Sequence, residues 1–381
     1  MTPVAAFERS HRMLAAVDDL VDYRALVPLR ILAGPLVLAH LAPFLGDAVS
    51  GVTPLDGFTV PYRIPVPVIP GPLYIAAVLG TALAAVLVSL GLFTRAATGF
   101  TAGFVVYNLL LSRTHYHHNR AFLAVLLLGL ALVPVGETCS LSAVLRRRRH
   151  DERSRTQPLG RRWPLMLLRF QVAAVYVASG ASKLLDPDWF GGVVTRLRVV
   201  RQTDAAIAAG VPRWLVDMVS TPGFNGVFAK IVVLTEIFIG VGLLTPALRT
   251  TALWVAVPFH LAIAATSDVE VFSWAALAAT TIWVTPPSAD RLVVIGGTRA
   301  SFLAALLRGL DWTGRFTVIA DRDAPAAIAL CDRGGAVATG GTALTAIGCL
   351  LPASFLVAVP VRALRRSGVH SRRGSALRSK G

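Results

Sequence analysis

Residues 165–184 read LMLLRFQVAAVYVASGASKL, and their only charges are Arg169 and Lys183. A helix of this length spans the hydrocarbon core of a bilayer, which needs about 20 mostly apolar residues. Similar stretches lie on both sides of it, near Leu26 to Leu45, Leu73 to Phe93, Ala97 to Leu111, Ala121 to Val135, Val227 to Leu244, Thr251 to Ala265 and Val271 to Val284. The expected fold is therefore an all-α polytopic membrane helix bundle of about eight transmembrane helices. Composition agrees: 55% of the 381 residues are hydrophobic and 15% charged, against about 25% charged in a soluble domain.

The formal net charge of +16 sits largely in loops, in Arg146-Arg147-Arg148-Arg149 through Arg162 and in the tail from Arg362 to Lys380. This distribution is the positive-inside signal rather than a nucleic-acid footprint. It predicts a cell membrane protein with cytoplasmic N- and C-termini. The turns at Arg95 and Arg249 then face the cytoplasm, while Ser112 to Asn119, Asp186 to Asn225 and Asp268 to Glu270 face outward. Arg196, Arg198, Arg201 and Arg213 are basic exceptions on the outer side. Residues 1–25 form a cytoplasmic N-terminal segment. Gly46 to Pro72, with Pro65, Pro67, Pro70 and Pro72, reads as a loop or re-entrant segment.

After Pro287 the hydrophobic period changes. Residues 288–314 read as a linker, 315–366 as a small α/β cytoplasmic domain, and 367–381 as a disordered basic tail. Within the small domain Phe316 to Ala320 and Gly335 to Thr339 read as strands and Pro325 to Cys331 as a short helix. Ala343 to Val361 contains Pro352 and Pro360 and reads as a helix packed on that domain rather than another span. Cys139, Cys331 and Cys349 show no CxxC or metal-ligand spacing, so no metal is expected.

Ionisable residues inside spans are costly and mark candidate sites. Here they are Arg30, His40, Arg169, Lys183, Lys230, Glu236 and His260, with His115, His117 and His118 at a helix entrance. Arg30 and Lys230 are near enough to span ends to snorkel. Arg169, Tyr176 and Lys183 recur every seven residues and share one helical face. Desolvation there favours the neutral amine that a general base requires; the alternative is a lysine paired with Asp186 or Asp188 at the interface. His260 reads as a hydrogen-bonded core histidine or as a site residue. Glu236 reads as half of a structural ion pair with Arg169 or another cation.

At these residues the chain resembles a known family. The run from Leu168 to Trp189, with Arg169, Gln171, Tyr176, Gly180, Lys183 and the Asp-x-Asp-Trp at Asp186 to Trp189, is similar to a helix of the vitamin K-dependent γ-glutamyl carboxylase. Its bacterial relatives form the horizontally transferred transmembrane (HTTM) domain family. Pro54-Leu-Asp-Gly57, Gly91-Leu-Phe-Thr-Arg95, the His/Asn cluster before Phe122-Leu123, and Phe259-His260 with Phe272-Ser273-Trp274 extend the likeness over residues 26–287. The sequence departs from the family by a leucine inserted between Lys183 and Asp186 and by the order His118-Asn119.

The resemblance implies a lysine base, Lys183, with His260, His118 and Asn119 as catalytic partners, and Tyr176, Arg169, Trp189 and His117 around the substrate. It implies a reduced quinone of the menaquinone or vitamin K type as cofactor, reaching an outer-leaflet cavity from the lipid bilayer. The carboxylase's large extra-membrane domain for its protein substrate is not seen. The expectation is therefore a quinol-dependent oxidation or epoxidation rather than glutamate carboxylation, or else a non-catalytic scaffold or quinone-binding subunit. Gly335-Ala-Val-Ala-Thr-Gly-Gly-Thr-Ala-Leu344 resembles the end of small DCC-type thiol-disulfide oxidoreductase domains, and without CxxC this remnant is expected to carry no redox role.

Overall fold

The computed structural model describes residues 19–51, 53, 60–136, 139–149 (backbone alone from 146), 159–267, 269–284, 291–331, 335–351 and 354. The N-terminal segment before 19, Pro54 to Gly57, Ser154 and the tail from 355 lie outside these residues. The chain divides into two units, residues 1–283 and 284–381.

In the first unit a 3-10 turn, Tyr23–Leu26, leads into helix α1, Val27–Val49. Helices α2 (Gly71–Leu90), α3 (Thr94–Leu111) and α4 (His118–Ala131) follow, then the short α5 (Leu141–Arg149). The second half holds α6 (Arg162–Leu185), α11 (Pro222–Leu244), α12 (Arg249–Thr266) and α13 (Phe272–Thr280). Four short helices separate α6 from α11: α7 (Pro187–Phe190), α8 (Val193–Arg201), α9 (Thr203–Ala208) and α10 (Arg213–Val219). Strands β1 (Leu20–Asp22) and β2 (Leu159–Arg161) pair antiparallel and join the entries of α1 and α6.

A helix stands at each of the eight apolar stretches, and four are long and apolar enough to cross a membrane: Tyr23–Val49, Gly71–Leu90, Arg162–Leu185 and Pro222–Leu244. On α2 the side chains of Leu79, Leu83, Val86 and Leu90 point out of the bundle, as do Val227, Ile231, Leu234 and Val241 on α11. Apolar ridges of this kind have no stable solvent but lipid. The stretch over 271–284 folds as the nine-residue α13 continued by a 3-10 turn at Thr281–Trp283.

Helix contacts explain residues that look costly in the sequence. Pro35 lies inside α1 and has no N–H for the carbonyl of Ile31. The Ser89 hydroxyl of α2 donates to that carbonyl instead, at 2.7 Å. The two helices approach closely here because Gly34 faces Ser89 and the Ala85 carbonyl, where a Cβ would collide. Arg30 does not snorkel. It is fully buried and donates to the carbonyls of Val88 (3.2 Å) and Ser89 (3.0 Å) in the last turn of α2 and of Cys139 (2.6 Å) before α5. Lys230 is exposed, with its ammonium 5.5 Å from the Phe190 ring centre. His40 is buried, edge-on to Phe44.

The second unit is a four-stranded sheet ordered β4-β3-β5-β6, built from β3 (Arg291–Ile295), β4 (Phe316–Ala320), β5 (Ile328–Cys331) and β6 (Val337–Thr339). β3 runs parallel to β4 and antiparallel to β5. Helix α14 (Ala300–Leu310) connects β3 to β4, and α15 (Gly340–Leu350) follows β6. Val293, Ile295, Ala304, Phe316, Leu330 and Ile347 form its core.

Two expectations change here. Residues 288–314, read as a linker, carry β3 and α14, and β3 is an inner strand of the sheet. The expected helix at 325–331 is replaced by β5, because a four-residue apolar run has no period of its own and pairing with β3 decides it. α15 packs on this unit through Ala343 and Ile347. It stops at Leu351, whose extended backbone precedes Pro352.

Candidate functional site

α6 delivers Arg169, Tyr176 and Lys183 in one line, and each meets a different element. Arg169 donates through Nε and Nη2 to the Ile282 carbonyl at 3.0 and 2.6 Å, bracing the 3-10 turn after α13. The Tyr176 hydroxyl lies 2.6 Å from His260 Nε2 of α12, with both side chains buried. The Lys183 ammonium lies 2.5 Å from Glu236 Oε1 of α11.

α6 packs against α11 more extensively than any other pair of elements. Gly180 and Gly240 open this seam, since a Cβ on either would stand 2.6 Å from the side chain of Ile237 or Val177 respectively. Glu236 is thereby brought to Lys183 rather than to Arg169. Asp186, the alternative partner, turns its Oδ1 to the backbone amides of Asp188 and Trp189 at 2.9 and 3.3 Å, capping α7. At its resting position Lys183 pairs with Glu236 of α11, and not with Asp186, so the partner in the ion-pair reading comes from a neighbouring helix.

The start of α4 supplies a second polar group. His117 caps the helix, its Nδ1 accepting from the Asn119 amide at 3.3 Å, and its ring stacks on His118 with centres 4.4 Å apart. Asn119 Nδ2 donates to the Val269 carbonyl at 2.9 Å, which fixes Oδ1 as the free acceptor of that side chain. One residue on, Arg120 reaches Glu270 at 3.0 Å, so the entrance of α4 is tied to the turn before α13. Glu270 holds a left-handed backbone at φ 51°.

These elements line a cavity of about 1110 Å³. His118, Asn119, Lys183, Trp189, Arg198 and Glu236 are on its wall, among apolar side chains that include Phe122, Phe228, Phe259 and Phe272. Trp189 carries two cations, with Lys183 Nζ and Arg198 Cζ each 4.9 Å from its ring centre. Tyr176, His260, Arg169 and His117 do not line the cavity. The first two sit behind the wall, where His260 also meets Phe259 and Phe272 edge-on.

The buried polar atoms without a hydrogen-bond partner among the described residues include three of the candidate site: Glu236 Oε2, Asn119 Oδ1 and His260 Nδ1. A buried acceptor left open is costly, by about 1–3 kcal/mol. Two of these belong to side chains on the cavity wall. Among the described residues no group of three or more His, Cys, Asp or Glu side chains could hold a metal ion.

Sequence reasoning left the cation of Glu236 open between Arg169 and another, which is Lys183, and gave Arg198 no role. Arg198 did leave a signal, as one of the basic residues on a segment expected to face outward.

Together these features define a membrane-embedded helix bundle holding a cavity, mostly apolar, with a charged and hydrogen-bonding wall. The family model for the HTTM domain matches residues 20–287, and the chain belongs to the HTTM-domain family. Comparison with curated proteins and with solved structures gave no match.

Proposed function

We propose that this chain is a multi-pass membrane oxidoreductase, related to the vitamin K-dependent carboxylase, that takes a reduced quinone of the menaquinone or vitamin K type from the bilayer into the α6–α11–α12 cavity. The proposed topology has eight spans, with both termini cytoplasmic and the cavity toward the outer leaflet.

The observation that carries this reading is the Lys183–Glu236 pair on the wall of an apolar cavity that also presents two open acceptors, Glu236 Oε2 and Asn119 Oδ1. Open acceptors fit a ligand that donates, and a diol on an apolar ring is such a ligand. When bound, a reduced quinone would supply the hydroxyl protons and the reducing equivalents for oxidation by oxygen.

The residues of the chain then divide the remaining work. Lys183 and Glu236 hold one proton between Nζ and Oε1. Its movement to the carboxylate leaves a free amine that can accept another, which is what a general base needs at neutral pH. Asn119 is pinned through Nδ2, so Oδ1 is held in place as an orienting acceptor. Tyr176 and His260 support the wall from behind, and Phe122, Phe259 and Phe272 exclude water.

The test is quinol consumption by the purified protein in lipid nanodiscs. Lys183→Ala is expected to abolish it in a protein that remains folded. Lys183→Arg is expected to fail as well, because a guanidinium keeps its proton at ordinary pH. Restoration by arginine would instead favour the second reading, a quinone-binding scaffold in which the ion pair with Glu236 is purely structural.

A further inference from the structure

Trp189 is flanked by two cations that differ in what answers their charge. Lys183 is neutralised by Glu236 at 2.5 Å. Asp186, the other carboxylate on the cavity wall, is engaged by the backbone of α7. Arg196, two residues before Arg198 on α8, donates Nε to the Ser220 carbonyl at 3.0 Å. Arg198 alone of these has neither a hydrogen bond nor an ion pair among the described residues: its side chain is exposed, its guanidinium carbon lies 4.9 Å from the Trp189 ring centre, and the Glu236 charge reaches it only at a distance. That contact orients the guanidinium plane without using its N–H groups.

The setting gives this arginine meaning. It is on the wall of a cavity lined mainly by apolar side chains, in a segment where basic residues oppose the proposed topology. The cavity volume of about 1110 Å³ is above the range of about 300–1,000 Å³ that suits one small ligand. There is space beside a quinol ring for a second molecule.

We propose that Arg198 and Trp189 form an anion subsite that seats the head group of a second substrate, an apolar acid bearing a carboxylate or a phosphate ester. The guanidinium fork binds two oxygens of the head group, as Arg does with planar or tetrahedral oxyanions. The hydrocarbon body lies along the apolar wall beside Val199, Phe224 and Phe228. The head group is thereby placed near the Lys183–Glu236 pair, both cations lying 4.9 Å from the centre of the Trp189 ring. This assignment rests on reading the cavity as a substrate chamber, but not on the identity of the quinol.

The test is calorimetric titration of the full chain, in nanodiscs of zwitterionic lipid and without quinone, with octanoate, octyl phosphate and octanol. One or both anions are expected to bind at least about tenfold more tightly than octanol, and the tighter anion identifies the head group. Arg198→Gln should weaken the anion about tenfold or more and leave octanol unchanged. Arg198→Lys should recover part of the loss, since an ammonium keeps the charge without the fork. Equal binding of octanol and both anions would overturn the proposal, as would unchanged anion affinity in a folded Arg198→Gln protein. Should that variant not fold, salt titration of the unsubstituted chain decides: anion affinity must fall as salt rises, and indifference to salt overturns the subsite. Because no quinone is present, this outcome is separate from the fate of the Lys183 variants.

Discussion

The Lys183 ammonium and the Glu236 carboxylate meet at 2.5 Å across the α6–α11 seam, with side-chain exposures of 18% and 6%. Neither charge has enough water around it to stand without the other. Removing one partner of a buried pair leaves an uncompensated charge, whereas replacing both with apolar groups is often neutral. Glu236→Gln is therefore expected to destabilise the protein by about 3 kcal/mol. The double variant Lys183→Met, Glu236→Leu should recover most of that loss and remain inactive. Thermal unfolding in nanodiscs measures both, and a double variant no more stable than Glu236→Gln would show that the two residues are uncoupled.

Gly240 controls the spacing of the same seam. A Cβ there would stand 2.6 Å from Val177 Cγ2 and 2.8 Å from the Ala173 carbonyl oxygen, and the second contact is backbone that cannot rotate away. Gly240→Ala should cost about 1–3 kcal/mol by overpacking. Because Lys183 and Glu236 ride on the two helices being separated, quinol consumption should fall with it. Gly99 of α3 is the control, since nothing lies within 4 Å of a Cβ placed there. Gly99→Ala should be neutral or slightly stabilising through helix propensity.

The tie between α4 and the turn before α13 predicts a response to acid. Burial raises the Glu270 carboxyl, but the hydrogen bond and charge of Arg120 more than offset this and hold it below its ordinary 4.5. A carboxylate depressed in the folded state adds stability above the unfolded value and loses it as pH falls through the folded one. The contribution should thus be complete at neutral pH and disappear in the window below about pH 4.5. Glu270→Gln should melt lower than the unsubstituted chain at pH 7 and converge with it in acid. High salt should shrink the difference at pH 7, because the pair is partly exposed. Curves that stay parallel down to pH 3 would remove Arg120–Glu270 from the account.

The basic loop before α6 and the C-terminal tail are expected on the same, cytoplasmic side. Single cysteines at Ser154 and Ser375, in a background without Cys139, Cys331 and Cys349, should react with an impermeant maleimide only after the cells are opened. Reaction of either in intact cells would refute this topology, and reaction at Ser154 would place the cavity in the other leaflet.

Much of the first unit can be read in the amino-acid order, because apolar length alone locates helices in a chain that uses lipid as solvent. The seven-residue recurrence of Arg169, Tyr176 and Lys183 likewise fixes a common face without any tertiary knowledge. Partners are another matter. Span ends read from hydropathy carry an uncertainty of about two to four residues, or about 3–6 Å along a helix. That error is enough to leave open which cation, Arg169 or Lys183, stands opposite Glu236. Arg30 was misread for a related reason: proximity to a helix end suggests snorkelling, while the carbonyls that capture it come from residues 88, 89 and 139 and cannot be paired with it from order alone. In the second unit the strands are three to five residues long. Runs that short take their identity from their neighbours in the sheet.

The line of three residues on α6 also limits how this helix can change. Arg169 meets the turn after α13, Tyr176 meets α12 and Lys183 meets α11. Substitution at any one of them leaves the other two contacts in place. Insertion or deletion of one residue near position 172 is different, because it turns everything beyond it by about 100°. Tyr176 and Lys183 would leave their partners in the same event, with Arg169 still anchored behind them. α6 can therefore drift by substitution but not by changes in length, and its spacing is the most reliable landmark for aligning distant versions of this chain.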